Sequence, residues 1–335
     1  MKSATKSKEK ISVGLDIGTQ NVKIVKLKFV QDAVEVISVA LEPMQEDPAE
    51  ALKKIKLSLL IDSVNIALSG PATVIRNINF PKMNDDELKQ ALKFEAQKHI
   101  PFPLAEVSMD GCILKDDLPD NKMLVLLAAV KKESLSQRLR TIERAGLKTN
   151  IIEIDSLALI NAFNFNYGQE ESLKPKVIAL MNIGAAITNV NIIEGGIPRL
   201  SRDIQIAGNN FTQKIADTLG LDFKSAEGAK VNPDADQSGK ILLALETVFT
   251  ALATEIRTSF DYYESQSASS VGKIFLSGGG SLFPGLKDKL KSLLNIEVDH
   301  WDPLKNIKMS PGMDAEKLKP LCAQLAVAVG LALRQ

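Results

Sequence analysis

A strand–turn–strand that occurs twice, once at the start of each half of the chain, is the feature that most limits the fold. Its first copy is Val13-Gly14-Leu15-Asp16-Ile17-Gly18-Thr19-Gln20-Asn21-Val22-Lys23. Ile11, Val13 and Leu15 alternate with smaller or polar residues, as a strand requires. Gly18, Thr19, Gln20 and Asn21 are turn formers, and Val22, Ile24, Val25 and Leu27 begin the return strand. Such a turn gathers backbone N–H groups into a concavity that suits a phosphate. Asp16, where the first strand ends, cannot take a phosphate directly because like charges repel. It can hold Mg²⁺ through water, and Mg²⁺ bridges phosphates. Lys23 returns a positive charge to the same end. The second copy, residues 179–190, puts Asn182 in place of Asp16 and Gly184 in place of Gly18, about half the chain later. A repeat of this kind predicts two related α/β lobes whose phosphate loops face each other across one nucleotide.

The remaining composition narrows the function. Lysine plus arginine equals aspartate plus glutamate, 41 each, and aromatic residues are 5%. Neither a basic surface nor a base-stacking one is expected, which argues against nucleic acid. Cys112 and Cys322 lie far apart in apolar settings without metal-ligand spacing, so buried thiols in a reducing compartment are expected. The two histidines, His99 and His300, have no partner pattern, which disfavours a zinc site or a Ser–His–Asp triad. No stretch is long enough to span a membrane. Residues 1–10 are rich in Lys and Ser without an apolar core, as in a flexible tail rather than a signal peptide.

Taken in order, the first lobe reads β-β-β-α-β. Residues 73–150 then read β-α-β-β-α, a compact insertion with its own small sheet. Within it Asn84 and Glu87 have capping-box spacing at the start of a helix over 84–100, and Pro101-Phe102-Pro103 stops that helix. A strand at 151–154 and a helix at 156–163 return to the first lobe. The second lobe has strands at 177–181, 187–194 and 197–204, a Gly195-Gly196 hairpin turn and a long helix over 239–265. A strand at 274–277 follows and runs straight into Gly278-Gly279-Gly280. A helix is expected over 318–333.

These motifs together resemble the actin-like ATPase superfamily. D-x-G-T at Asp16–Thr19, its second copy, and I-F-L-S-G-G-G-S-L-F-P-G-L from Ile274 to Leu286 are similar to its phosphate-1, phosphate-2 and adenosine loops. Three glycines after a strand let backbone lie flat against a ring where any Cβ would clash. Within the superfamily the chain resembles the PilM family of the type IV pilus inner-membrane platform. The resemblance rests on E-L-x-x-A-L-x-x-E-A-x-K-H-I-P-F-P from Glu87 to Pro103 and the strand–helix–A-G-L pattern over 123–147. It rests also on R-x-S-R-D-I-x-I-A-G-N-N-F-T from Arg199 to Thr212 and S-A-E-G-A-K from Ser225 to Lys230. FtsA shares the architecture, but its membrane-targeting helix follows a linker, and no such linker is apparent in this sequence.

The resemblance implies an actin-like (ribonuclease H-like) two-lobed α/β fold with an FtsA/PilM-type inserted subdomain. Its expected parts are a tail over 1–10, lobe 1A over 11–72 and 151–174, and the insertion 1C over 73–150. Lobe 2A covers 175–209 and 251–317, subdomain 2B covers 210–250, and a helix over 318–335 returns to lobe 1A. Each lobe should carry a mixed five-stranded sheet. The cofactors implied are ATP and Mg²⁺, with Asp16 orienting the metal through water. Gly18, Thr19, Gln20 and Asn21 would give N–H groups, and Lys23 a charge, to the phosphates. Gly184, Ala185 and Thr188 match the second phosphate loop. Glu227 and Lys230 match the ribose and adenine contacts, and Gly278, Gly279 and Gly280 the adenine and α-phosphate cover.

The implied partner is the N-terminal peptide of PilN, a bitopic membrane protein, received between lobe 1A and the insertion. The chain would then be cytoplasmic and held at the inner membrane by that partner, with other pilus platform or motor proteins as further partners. Catalytic candidates are Asp155 and Asn182. The family often has Glu or Gln where Asp155 stands, and active members usually carry Asp where Asn182 stands, so slow hydrolysis is expected. A filament of the FtsA or MreB kind and a sugar kinase of the same superfamily, with Asp155 or Asp203 as base, are the alternatives.

Overall fold

The protein is described by a computed structural model covering residues 9–335, residue 32 excepted. The tail expected over 1–10 lies outside the described residues up to residue 8, and Lys10 already belongs to the first strand. The first lobe opens with an antiparallel meander of β1 (Lys10–Ile17), β2 (Asn21–Val30) and β3 (Ala33–Pro43), in which Asp16 faces Lys23. Helix α1 (Pro48–Leu59) has proline in its first turn, where no N–H is needed. Asp47 caps it by accepting from the Ala49 N–H at 3.0 Å. Strand β4 (Ser63–Leu68) then adds parallel to β1.

The insertion consists of β5 (Thr73–Pro81), α2 (Asp85–Glu95), β6 (Val107–Leu118) and β7 (Lys122–Lys131), with sheet order β5-β7-β6. The expected capping box is present. The Asn84 side chain accepts from the Asp86 and Glu87 N–H groups, and Glu87 accepts from the Asn84 N–H at 2.9 Å. The insertion has its own core, in which Phe80, Leu88, Leu92 and Ile100 pack on Met123, Val125 and Leu127. Helix α3 (Lys132–Arg144) follows, and here the expected boundary at 150 moves. Ile142, Ala145 and Leu147 are buried among Leu15, Ile24, Leu52 and Ile55 of the first lobe, not in the insertion's core. The chain continues into β8 (Lys148–Ile154), parallel to β4, and α4 (Asp155–Tyr167).

The second lobe repeats the plan with β9 (Val177–Ile183), β10 (Thr188–Glu194) and β11 (Ile197–Ile204), then α5 (Gly208–Leu219), α6 (Phe223–Val231) and α7 (Ala235–Gln266). Strand β12 (Val271–Ser277), α8 (Leu286–Leu294) and β13 (Glu297–His300) complete it, in sheet order β11-β10-β9-β12-β13. Gly195 and Gly196 both have positive φ, 58° and 79°, as the tight hairpin between β10 and β11 demands.

The return to the first lobe begins before residue 318. Strand β14 (Lys308–Met309) pairs parallel with β3 and gives the first sheet six strands, β14-β3-β2-β1-β4-β8, where five were expected. The helix expected over 318–333 is interrupted. It comprises α9 (Ala315–Leu318), a 3₁₀ stretch over Lys319–Gln324 containing Pro320, and α10 (Ala326–Ala332). The Ala323 carbonyl is taken by the Gly278 N–H at 2.6 Å, which draws it out of a helical ladder. Helix α10 lies between β1 and α4. It approaches both so closely that a Cβ at Gly14 would sit 2.0 Å from the Ala328 carbonyl oxygen, and one at Gly330 would sit 1.8 Å from that of Ala158. Residues of both lobes and of α10 share one core, with Val25, Leu27, Phe163, Leu180, Phe275 and Val329 in contact through it.

Candidate functional site

The turn between β1 and β2, the turn between β9 and β10, and the glycine run after β12 meet at one cleft of about 470 Å³ between the lobes. In the first turn the Gly18 N–H donates to the Asn21 carbonyl at 3.0 Å; in the second the Gly184 N–H donates to that of Ile187 at 3.0 Å. Among the described residues the N–H groups of Thr19, Gln20, Ala185 and Ala186 have no protein acceptor, the state an anion needs. The carbonyls of Gly184 and Ala185 are occupied by the Gly208 and Asn209 N–H groups at the start of α5, which fixes the second turn. Across the cleft Gln20 donates to Asn209 at 3.1 Å, one polar contact between the lobes.

Most of the expected site residues line this cleft: Asp16, Gly18, Thr19, Gln20, Asn21, Lys23, Asp155, Asn182, Gly184, Ala185, Glu227, Lys230 and Gly278 to Gly280. Thr188 does not. It is fully buried and its hydroxyl donates to the Ile206 carbonyl at 2.7 Å, because the pleat turns it away and presents Asn189 instead. Lys23 is paired with Asp16 at 2.9 Å, so the two neutralise each other across the β1–β2 ladder. Lys230 is held by Glu227 at 2.7 Å, Thr212 at 2.9 Å and the Gly208 carbonyl at 3.3 Å, which joins α6 to α5 at the cleft wall. Gly278 has φ of +85°, and a Cβ there would meet the Ile183 carbonyl oxygen at 2.3 Å.

Asp155 is the first residue of α4, not the last of a strand, and its carboxylate accepts from the Ser156 N–H at 2.7 Å. Burial, then the neighbouring Asp203 and Asp16, push its pKa up to about 8 against the pull of that N–H. Its side chain keeps some solvent access where it lines the cleft, but the two lobes surround it. Asp203 is also raised, by burial, although Asn189 donates to it at 2.6 Å. The two aspartates named as possible bases therefore share one pocket of charge, and the first carries a proton near neutral pH. Asn182 donates to Asn189 at 3.4 Å, a long contact. Gln324, Ser69, Asn189 and Leu282 also line the cleft. Of these only Asn189 had a local signal, its strand parity with Ile187.

A second cavity, about 520 Å³, is a groove between the insertion and the first lobe. The two strands that flank it, β6 and β8, are each the last of their sheets. Leu126, Leu157 and Ile160 give it an apolar floor, and Ile152 is exposed in it. Cys112, expected buried, is exposed on β6 in this wall; Cys322 is partly buried, and burial pushes its thiol up to about 11.

Residues 14–335 match the family described as type IV pilus assembly protein PilM. The chain belongs to the PilM family. Among solved structures this PilM-family chain is similar to the PilM–PilN type IV pilus biogenesis complex, at 28% identity and a TM-score of 0.85 over 96% of this chain and 98% of that one. It is similar in fold to the ethanolamine utilization protein EutJ from Carboxydothermus hydrogenoformans, at 16% identity and a TM-score of 0.56, covering 98% and 91% of the two chains. The cell division protein FtsA of Streptococcus pneumoniae serotype 2 (strain D39 / NCTC 7466) is 22% identical over 89% of this chain and 76% of its own length. The fold is actin-like, with the PilM-type insertion, as the loop motifs imply.

Proposed function

We propose that the chain is a nucleotide-binding scaffold of a type IV pilus, or related type II secretion-like, inner-membrane platform, and that its groove receives the N-terminal peptide of a PilN-like bitopic membrane protein. The observation that carries this is the groove itself: an apolar floor between two sheet edges, β6 and β8, whose outer N–H and C=O groups suit an extended peptide. The similarity to the PilM–PilN complex supports the same partner. Among the described residues no helix is long and apolar enough to cross a membrane. Association with the inner membrane from the cytoplasmic side then falls to the partner. A synthetic peptide of that partner's N-terminus should bind the isolated protein with a dissociation constant of roughly 1 μM. Absence of binding at ten times that concentration would count against the scaffold.

ATP with Mg²⁺ is the ligand we propose for the cleft. Among the described residues four N–H groups of the two phosphate turns have no protein acceptor, and Gly279, the one of the three glycines whose Cβ would meet no backbone, lines the cleft where a ring would lie. Among the described residues no three acidic, His or Cys side chains converge on a metal position. Bound Mg²⁺ would supply charge bridging the phosphates, with Asp16 reaching it through water. Turnover should be slow. Asn182 keeps the size of an aspartate without its charge, and a protonated Asp155 is a poor base at neutral pH. Single-turnover hydrolysis by the wild type should run far below roughly 1 s⁻¹, and Asn182→Asp should be faster. A substituted protein no faster than the wild type would exonerate Asn182.

A further inference from the structure

Arg138 sits in the middle of α3, with its guanidinium half-buried behind the first phosphate turn. Its Nη1 donates to the Ile17 carbonyl at 3.5 Å, a long contact. Among the described residues no carboxylate comes within 4.0 Å of it. Two carboxylates lie in its field, Asp16 and Asp155. Neither answers it: Asp16 is committed to Lys23 at 2.9 Å, and Asp155 is protonated near neutral pH. The cation on the opposite wall, Lys230, is already held by Glu227, Thr212 and Gly208. A half-buried guanidinium with one long hydrogen bond keeps donors free for an anion. Its planar fork of donors matches phosphate oxygens better than a lysine does.

We propose that Arg138 contacts the terminal phosphate of a nucleoside triphosphate and makes the cleft prefer triphosphate over diphosphate. This rests on the reading of the cleft as a nucleotide site. Ile17, whose carbonyl Arg138 touches, lines that cleft and precedes Gly18 in the phosphate turn. Arg138 itself stands behind the turn and is not among the residues that line the cleft; Ile17 is the point past which its guanidinium would turn in, from the first-lobe side, to meet a third phosphate. The α- and β-phosphates have the turn N–H groups instead.

The test uses the full chain as wild type, Arg138→Gln and Arg138→Lys, titrated with a fluorescent non-hydrolysable ATP analogue and with the matching ADP derivative, both with Mg²⁺. Arg138→Gln should bind the triphosphate about 10–100-fold more weakly and the diphosphate less than about threefold more weakly. Arg138→Lys, which keeps the charge but loses the fork, should fall between. An equal loss for both nucleotides makes Arg138 a general counter-charge and overturns the proposal, as does no loss for either. If the Gln variant fails to fold, the Lys variant decides: an unchanged triphosphate-to-diphosphate ratio overturns it. A wild type that binds neither nucleotide removes the reading of the cleft and the proposal with it.

Discussion

The three consecutive glycines at the cleft are not equivalent. Cβ atoms at Gly278 and Gly280 would meet backbone or a packed side chain at 2.3 and 2.7 Å, and Gly278 also needs its positive φ. At Gly279 the nearest atom is Gln324 Oε1 at 3.4 Å. Gly278→Ala should therefore lose about 2 kcal/mol or more of stability. Gly279→Val should melt close to the wild type yet fail to bind ATP, because its side chain would project beside Gln324 into the part of the cleft proposed for the ring. Calorimetric titration alongside thermal melts checks both, and unchanged ATP affinity in Gly279→Val would remove the adenine assignment. The cleft residues were legible because each phosphate motif is contiguous in sequence. Matching the two loops by position puts Thr188 in the site, whereas the pleat buries its side chain against the Ile206 carbonyl; Gln324 and Arg138 arrive from distant segments with no local mark. Asp155 carries a pH prediction. Its folded pKa of about 8 lies above the ordinary 3.8, so unfolding releases a proton between those values. Stability thus declines as pH rises through that window and levels above it. Asp155→Asn should melt like the wild type near pH 4 and progressively higher toward pH 8. Parallel melting curves would contradict this.

At the scale of elements, the insertion is separable in a way α3 is not. Thr73 and Val130 are directly opposed partners in β5 and β7, so the segment between them leaves and rejoins at one point. Replacing residues 74–129 with a short turn should preserve the melting transition and nucleotide binding while abolishing peptide binding. Full-strength peptide binding by the folded deletion would locate the partner elsewhere. A cut extended to residue 150 should instead unfold the first lobe, because it removes Ile142 and Leu147 from that core. The sequence could not separate these outcomes. The apolar stripe of α3 says that one face is buried, not which core receives it. Strand β14, only Lys308 and Met309, is likewise too short to carry a periodic signal.

Over the whole molecule the lobes are joined as well as facing. They share a hydrophobic core with α10, and among the described residues Gln20 donates to Asn209 across the cleft, while Asn164 and Asn77 donate to the Gly196 and Pro198 carbonyls of the second lobe beside it. Movement between the lobes must therefore pivot on that packed base. Gly330→Ala tests how tightly it is packed. Its Cβ would overlap the Ala158 carbonyl oxygen at 1.8 Å. The expected loss is about 3 kcal/mol, a fall of roughly 4 °C in melting temperature for a chain of this length; a shift under about 1 °C would mean that α10 moves aside freely. The same wedge dictates an order of events during synthesis. Strand β1 leaves the ribosome with Gly14 bare, and the helix that covers it emerges only after nearly the whole chain. At 5–20 residues per second that interval is roughly 15–60 s. During it the face of the first sheet that α10 covers has no partner, and its apolar strands are open to aggregation or to capture by a holdase.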